Sequence, residues 1–194
     1  MLAEKFKNIE IILASQSPRR QELLKGLDLT FRIETRPVEE LYSHKLTGHE
    51  ITDYLAKLKA DAFHDLRENQ LLITSDTIVW MDGRALEKPT SAEHAAEMLS
   101  TMSGAQHQVF TSVCFTSTKH QETIHDMTRV YFGDLSSDEI QYYIQQYKPF
   151  DKAGAYGVQD WLGYTSVERL EGCYYNVMGL PLPKVYHYLK NYQI

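Results

Sequence analysis

Only two cysteines, Cys114 and Cys173, occur in 194 residues. That supply gives no disulfide framework and no metal-ligand spacing, so both are expected to be buried free thiols of a cytoplasmic protein. Long apolar runs are equally scarce. Met1 to Glu10 carries charges without an apolar core, and Ile11 to Ala14 is too short for a signal peptide or a membrane span. No membrane is expected as a partner. Positive charge is in deficit: 20 Lys and Arg face 26 Asp and Glu, for a formal net charge of −6. Broad binding to a nucleic-acid polymer is therefore excluded, and any phosphate recognition has to come from a local cluster of bases. None of the eight histidines forms a His-x-x-x-His pair on an expected helix, which disfavours zinc. No internal repeat or low-complexity tract is present.

What the chain does have is a pointed N-terminal segment, Ile11-Ile12-Leu13-Ala14-Ser15-Gln16-Ser17-Pro18-Arg19-Arg20. A β-branched run stops at two serines, and Pro18 stands where a helix can begin without losing a hydrogen bond. The spacing predicts a buried strand, a tight turn and a helix. Free N–H groups at such a helix start attract anions. The two serines and the bidentate guanidiniums of Arg19 and Arg20 make phosphate the expected anion, since positive charge in a first turn opposes the helix dipole.

Further along, Leu29 to Thr35 reads as a strand broken by Arg36-Pro37, with Glu39 and Glu40 in the polar loop after it. Thr47 and Glu50 form a capping-box pattern, and Ile51, Leu55, Leu58 and Ala62 mark the buried stripe of the helix it opens. Lys59 lies at the edge of that stripe. Leu71 to Trp80 is a second apolar run, and Asp82-Gly83 predicts a hairpin back toward Leu86. A helix is expected from about Ser91 to Met102, capped by Thr90 and Glu93 and stopped by Gly104. Gln108–Thr116 and Thr123–Phe132 read as paired strands, and Ser136 with Glu139 opens a helix to about Tyr147. Tyr164 to Leu170 is expected to be a last strand, and Asn176 to Pro183 a turn into a terminal helix. Elements of both kinds are interspersed with at least one hairpin, so the expected class is α/β with a mixed sheet and flanking helices.

Asp76 interrupts an apolar strand. A buried carboxylate has to be paired, protonated or metal-bound. Beside an anion site it would serve as a general base for water or as a ligand for a divalent cation. At a strand end it would simply face solvent. Lys59 and Lys88 taken singly read as surface lysines, although Lys88 precedes a proline that can aim it into a cleft. Asp151-Lys152-Ala153-Gly154-Ala155-Tyr156-Gly157-Val158-Gln159 lacks P-loop spacing, but its glycines permit close backbone approach and Gln159 carries an amide suited to a base edge. Tyr142-Tyr143 and Tyr174-Tyr175 read as core and rim aromatics. No nucleophile–base pair is present, so no covalent intermediate is expected.

Together these segments resemble the Maf family of nucleoside triphosphate pyrophosphatases, especially its dTTP/UTP branch. The matching runs are Leu13 to Leu24, Ser75-Asp76-Thr77-Ile78-Val79, Leu86-Glu87-Lys88-Pro89, Asp151 to Gln159, and Asn176-Val177-Met178-Gly179-Leu180-Pro181. They span nearly the full chain in family order. The resemblance implies a single domain over residues 1–194, with two lobes about a central cleft as in inosine triphosphate pyrophosphatases, and a homodimer. It implies hydrolysis of a nucleoside triphosphate to monophosphate and pyrophosphate with Mg²⁺ or Mn²⁺. Asp76 falls on the family's proton acceptor, and Arg19, Thr77 and Gln159 on positions tied to base choice. Ser15, Arg20, Lys59, Lys88 and Lys152 match polar or basic positions of the cleft. Glu40 matches an acidic one, with Glu39 the alternative across the irregular loop, so the implied metal ligands are Glu40 and Asp76. Tyr147-Lys148 and Asp160-Trp161 depart from the family pattern at the rim. Two other readings stay open: a 7-methyl-GTP pyrophosphatase of the same family, and a nucleotide-binding regulator of cell division.

Overall fold

Ile11, Ile12 and Leu13 are buried on both faces of a strand, β1 (Glu10–Leu13), as expected for a β-branched run in a parallel sheet. The computed structural model describes residues 1–193. A short helix, α1 (Leu2–Lys5), precedes β1, and α2 (Pro18–Lys25), β2 (Phe31–Ile33), α3 (His49–Asp61) and the long β3 (Gln70–Met81) follow. Then come β4 (Arg84–Leu86), α4 (Ala92–Met102), β5 (Gln106–Thr116), β6 (Gln121–Phe132) and α5 (Ser137–Tyr147). The chain ends with α6 (Trp161–Thr165), β7 (Val167–Glu171), α7 (Tyr174–Val177) and α8 (Leu182–Asn191). Among the described residues seven strands form one mixed sheet in the order β2-β1-β3-β5-β6-β7, with β4 paired to β3. Among the described residues no helix is long and apolar enough to cross a membrane.

The residues group into two compact units, and β3, β5 and β6 each contribute to both. The first holds Met1–Asp76, Thr111–Asp126 and Gly179–Ile194. In it β1 pairs in parallel with β2 (Ile12 opposite Arg32) and with β3 (Leu13 opposite Ile73). Ala56, Ala60 and Phe63 of and after α3 pack on Ile12, Ala14, Leu72 and Cys114. That packing fixes the helix face from which Lys59 projects.

The second unit holds Thr77–Phe110 and Met127–Met178. Here β3 and β4 form the expected hairpin, with Val79 opposite Leu86 and Asp82 and Gly83 both at positive φ in the turn. Antiparallel β6 and β7 pair Val130 with Leu170. The core gathers Leu99 and Met102 of α4, Ile140, Tyr143 and Ile144 of α5, and Val109, Val130 and Tyr156. Tyr143 is wholly buried while Tyr142, Tyr174 and Tyr175 are exposed, which sorts the tyrosines into core and rim as their sequence suggests.

Several boundaries differ from the sequence expectation. The segment expected as one strand from Tyr164 is α6 followed by β7. Inside α6, a Cβ at Gly163 would stand 1.7 Å from the Val158 carbonyl oxygen, so this turn packs against the preceding backbone more closely than any residue but glycine allows. The cap of α4 is Ser91, whose hydroxyl accepts from His94 N–H at 3.1 Å, rather than Thr90. Helix α3 starts after Gly48, and Thr47 contributes by donating its backbone N–H to Glu50 Oε2 at 2.9 Å. Both cysteines are free, Cys114 buried as expected and Cys173 only partly so.

Candidate active site

The first unit assembles its polar residues after the end of β1 and at the middle of β3. Ser15 follows β1 and is buried, and its hydroxyl accepts the Ser17 N–H at 3.2 Å. Ser17 is the N-cap of α2 but makes no side-chain capping bond, and no acidic residue occupies the first turn. The helix start therefore keeps its positive end facing outward, as an anion site requires. Arg19 and Arg20, both half-buried, stand in that turn.

Arg20 is tied down. Its Nε donates to the Gly179 carbonyl and its Nη1 to the Ser75 carbonyl, each at 2.9 Å. Burial pushes the guanidinium below its usual value; the charge of Asp76 opposes this, Arg19 adds to it, and Glu40 again opposes it. The side chain stays a cation, because an arginine does not deprotonate in a protein. Arg20 thus fixes the backbone immediately before Asp76 and places positive charge within reach of both carboxylates. The sequence context of Arg20 points to phosphate, while its backbone role rests on contacts 159 and 55 positions away.

Asp76 is buried, and its Oδ1 accepts from Lys59 Nζ at 2.6 Å. The same ammonium lies 2.9 Å from Glu40 Oε2 in the loop after β2. The two carboxylate oxygens are therefore no farther apart than those two distances combined. A single cation already holds Asp76 and Glu40 together, while the Glu40 side chain is half exposed and open to exchange. Two hard oxygen donors around one cationic position suit Mg²⁺ or Mn²⁺, which take one or two carboxylates and complete their shell with water and phosphate oxygens. The residues fit the ion that the family resemblance implies. Of the two adjacent glutamates, Glu40 is the one in the ion pair with Lys59.

In the second unit the Asp151–Gln159 loop carries the remaining candidates. Gly154 has φ +66°, and a Cβ there would come within 2.9 Å of Val79 Cγ2. Its N–H donates to the Glu87 carbonyl at 3.1 Å, which fastens the loop beside Lys88. Lys88 itself is exposed. Lys152 Nζ lies 2.9 Å from Asp151 Oδ1 and 3.7 Å from Asp160 Oδ2. Asp160 in turn accepts from the Tyr143 hydroxyl at 3.0 Å, and that hydroxyl accepts the Gly157 N–H at 3.1 Å. Gly157 leaves space for side chains: a Cβ would meet Asp160 Oδ2 at 2.6 Å and Gln159 Nε2 at 2.9 Å. Gln159 Oε1 is buried without a hydrogen-bond partner. An unsatisfied buried acceptor is costly unless something else donates to it, and a ligand N–H would do so. Thr77, next to Asp76 on β3, is half-buried. The sequence does not show Tyr143 and Asp160 as partners of the loop, because Tyr143 reads as a core aromatic and meets Asp160 and Gly157 only across the fold.

The profile of the family described as Maf-like protein matches residues 10–192. The chain belongs to the Maf-like protein family. Curated relatives match it over most of its length. A protein of Flavobacterium johnsoniae named dTTP/UTP pyrophosphatase is 55% identical over 97% of this chain and 98% of its own. One of the same name from Christiangramia forsetii is 51% identical over 98% of this chain and 97% of its own. Another from Bacteroides thetaiotaomicron is 50% identical over 93% and 95% respectively. Among solved structures, a HAM1 protein from Coxiella burnetii is 16% identical, with a TM-score of 0.42, covering 64% of this chain and 73% of that one.

Proposed function

We propose that this Maf-like chain hydrolyses dTTP, UTP and modified pyrimidine triphosphates at the α–β phosphoanhydride, releasing nucleoside monophosphate and pyrophosphate. The observation that carries this reading is the full-length likeness, at about half identity, to proteins named dTTP/UTP pyrophosphatase. The Lys59–Asp76–Glu40 cluster supports it, because it joins a buried carboxylate to a cationic position.

In the proposed reaction Asp76 orients a water and takes its proton as the water oxygen bonds to phosphorus and the α–β bridge breaks. Lys59, which pairs with both Asp76 and Glu40 when no ion is bound, turns to the substrate phosphates when one is, and Arg20 holds the strand behind Asp76. A divalent ion on Glu40 and Asp76 would neutralise the charge that builds on the leaving pyrophosphate. Arg19, Ser15, Lys88 and Lys152 bind phosphate oxygens, and preorganised cations of this kind act where charge develops. Arg19, Thr77 and Gln159 choose the base, with Gln159 Oε1 the acceptor for a pyrimidine N–H. No covalent intermediate is required. We further propose that the protein works as a cytoplasmic homodimer.

Pyrophosphate release from a panel of triphosphates in the presence of Mg²⁺ tests the assignment. Turnover is expected with dTTP and UTP, and the Arg19→Ala and Gln159→Ala variants should alter the base profile. Faster turnover of 7-methyl-GTP than of either would overturn the branch. Binding of nucleotide without turnover of any would overturn the enzyme.

A further inference from the structure

Away from the carboxylate cluster, the first unit gathers a different set of donors. His49 opens α3 and Asp53 follows one turn later on the same face. His125 comes from β6, and its ring lies 4.2 Å from that of His49, centroid to centroid. One donor atom from each of the three residues falls within 4.8 Å of the others.

The arrangement is supported from behind. Ser112 Oγ donates to Asp53 Oδ1 at 2.6 Å and contacts Thr52 Oγ1 at 2.6 Å, and Ser112 and Thr52 are fully buried. Asp53 is thereby locked so that its other oxygen, Oδ2, faces His125 Nδ1 at 3.2 Å. Lys184 donates to the His125 carbonyl at 2.9 Å and pairs with Asp126 at 2.8 Å, which steadies the strand. Two donors that far apart, each about 2.1 Å from a shared ion, subtend roughly 100°, between tetrahedral and octahedral values. A pairwise His125–Asp53 contact does not account for the buried hydroxyl relay that orients the carboxylate.

We propose that His49, Asp53 and His125 bind one first-row transition-metal dication. Two imidazoles and one carboxylate, with remaining positions open to water, suit Zn²⁺, Ni²⁺ or Co²⁺ and not Mg²⁺, which prefers oxygen donors. The site shares no residue with Asp76 and Glu40. A bound ion ties α3 to β6, and α3 carries Lys59, so occupancy also steadies the helix that holds Asp76.

Zinc titration by calorimetry on the whole chain, with excess Mg²⁺ present to fill oxygen sites, tests the proposal. One Zn²⁺ per chain is expected, and His49→Ala and His125→Ala should each weaken binding by about 100-fold, Ser112→Ala by about 10-fold, the range seen when supporting partners are removed. Both histidines are exposed, so these variants keep the core intact. Co²⁺ should give a visible ligand-field spectrum that disappears in the histidine variants, and Zn²⁺ should raise the melting temperature of the parent alone. Binding that ignores both histidines overturns the proposal. So does binding that is lost in Asp76→Asn but kept in His49→Ala, which would put the ion on the carboxylate cluster.

Discussion

Asp76 is held by an ammonium at 2.6 Å, and its strand is held by Arg20 through the Ser75 carbonyl. Asp76→Asn keeps the size and the strand but removes the proposed proton acceptor. Its kcat for dTTP should fall by about two to four orders of magnitude with KM little changed, the loss expected for a general base. Wild-type turnover in that variant would remove Asp76 from the mechanism. A second residue speaks to stability. His107 is buried, its Nε2 lies 2.7 Å from the Tyr156 hydroxyl, and its Nδ1 has no hydrogen-bond partner. Burial lowers its pKa to about 4 from 6.5. The unfolded chain therefore binds a proton at this position before the folded one does. The contribution to stability is full above pH 6.5 and is lost as pH falls toward 4, by about 2 kcal/mol at pH 5. His107→Phe should flatten this part of the pH profile in denaturant titrations at pH 7 and pH 5, whatever its effect on stability at neutral pH.

At the scale of elements, local chemistry was legible and long-range geometry was not. The Ser136–Glu139 box is complete: Glu139 N–H reaches Ser136 Oγ at 3.3 Å, and Glu139 Oε2 accepts from the Ser136 N–H at 2.8 Å. Ser136→Ala should cost about 1 kcal/mol, read as a lower melting temperature with unchanged kcat, since α5 bears no proposed substrate contact. The Asp82-Gly83 hairpin and Pro18 at the start of α2 were equally plain, because each depends on two or three adjacent residues. Tyr164 to Leu170 alternates like a strand but holds the end of α6 before β7, and the close approach of Gly163 to the Val158 backbone is something side-chain alternation does not encode. The candidate site divides in the same way. Asp76 announced itself as a carboxylate in an apolar run. Arg20's grip on Gly179 spans 159 positions and leaves no local trace, and the meeting of His49 with His125 joins a helix to a strand, so no local histidine spacing marks it.

At the scale of the whole molecule, the net charge of −6 has to admit a substrate that is itself a polyanion. Bulk electrostatics oppose that approach, so binding depends on a few local cations and on whatever neutralises Asp76 and Glu40. In the structure that neutralising group is Lys59. A divalent ion held by both carboxylates would leave the Lys59 ammonium available for substrate and so couple metal binding to phosphate binding. Treatment with EDTA should therefore raise KM as well as lower kcat, and millimolar Mg²⁺ or Mn²⁺ should restore both. Lys59→Ala should retain metal-dependent activity while its KM for dTTP rises, because the two carboxylates keep their ion but the substrate loses a cation. Full activity of the chelated protein would break the link between the two carboxylates and a metal. A Lys59→Ala variant with an unchanged KM would show instead that the ammonium serves only to hold Asp76.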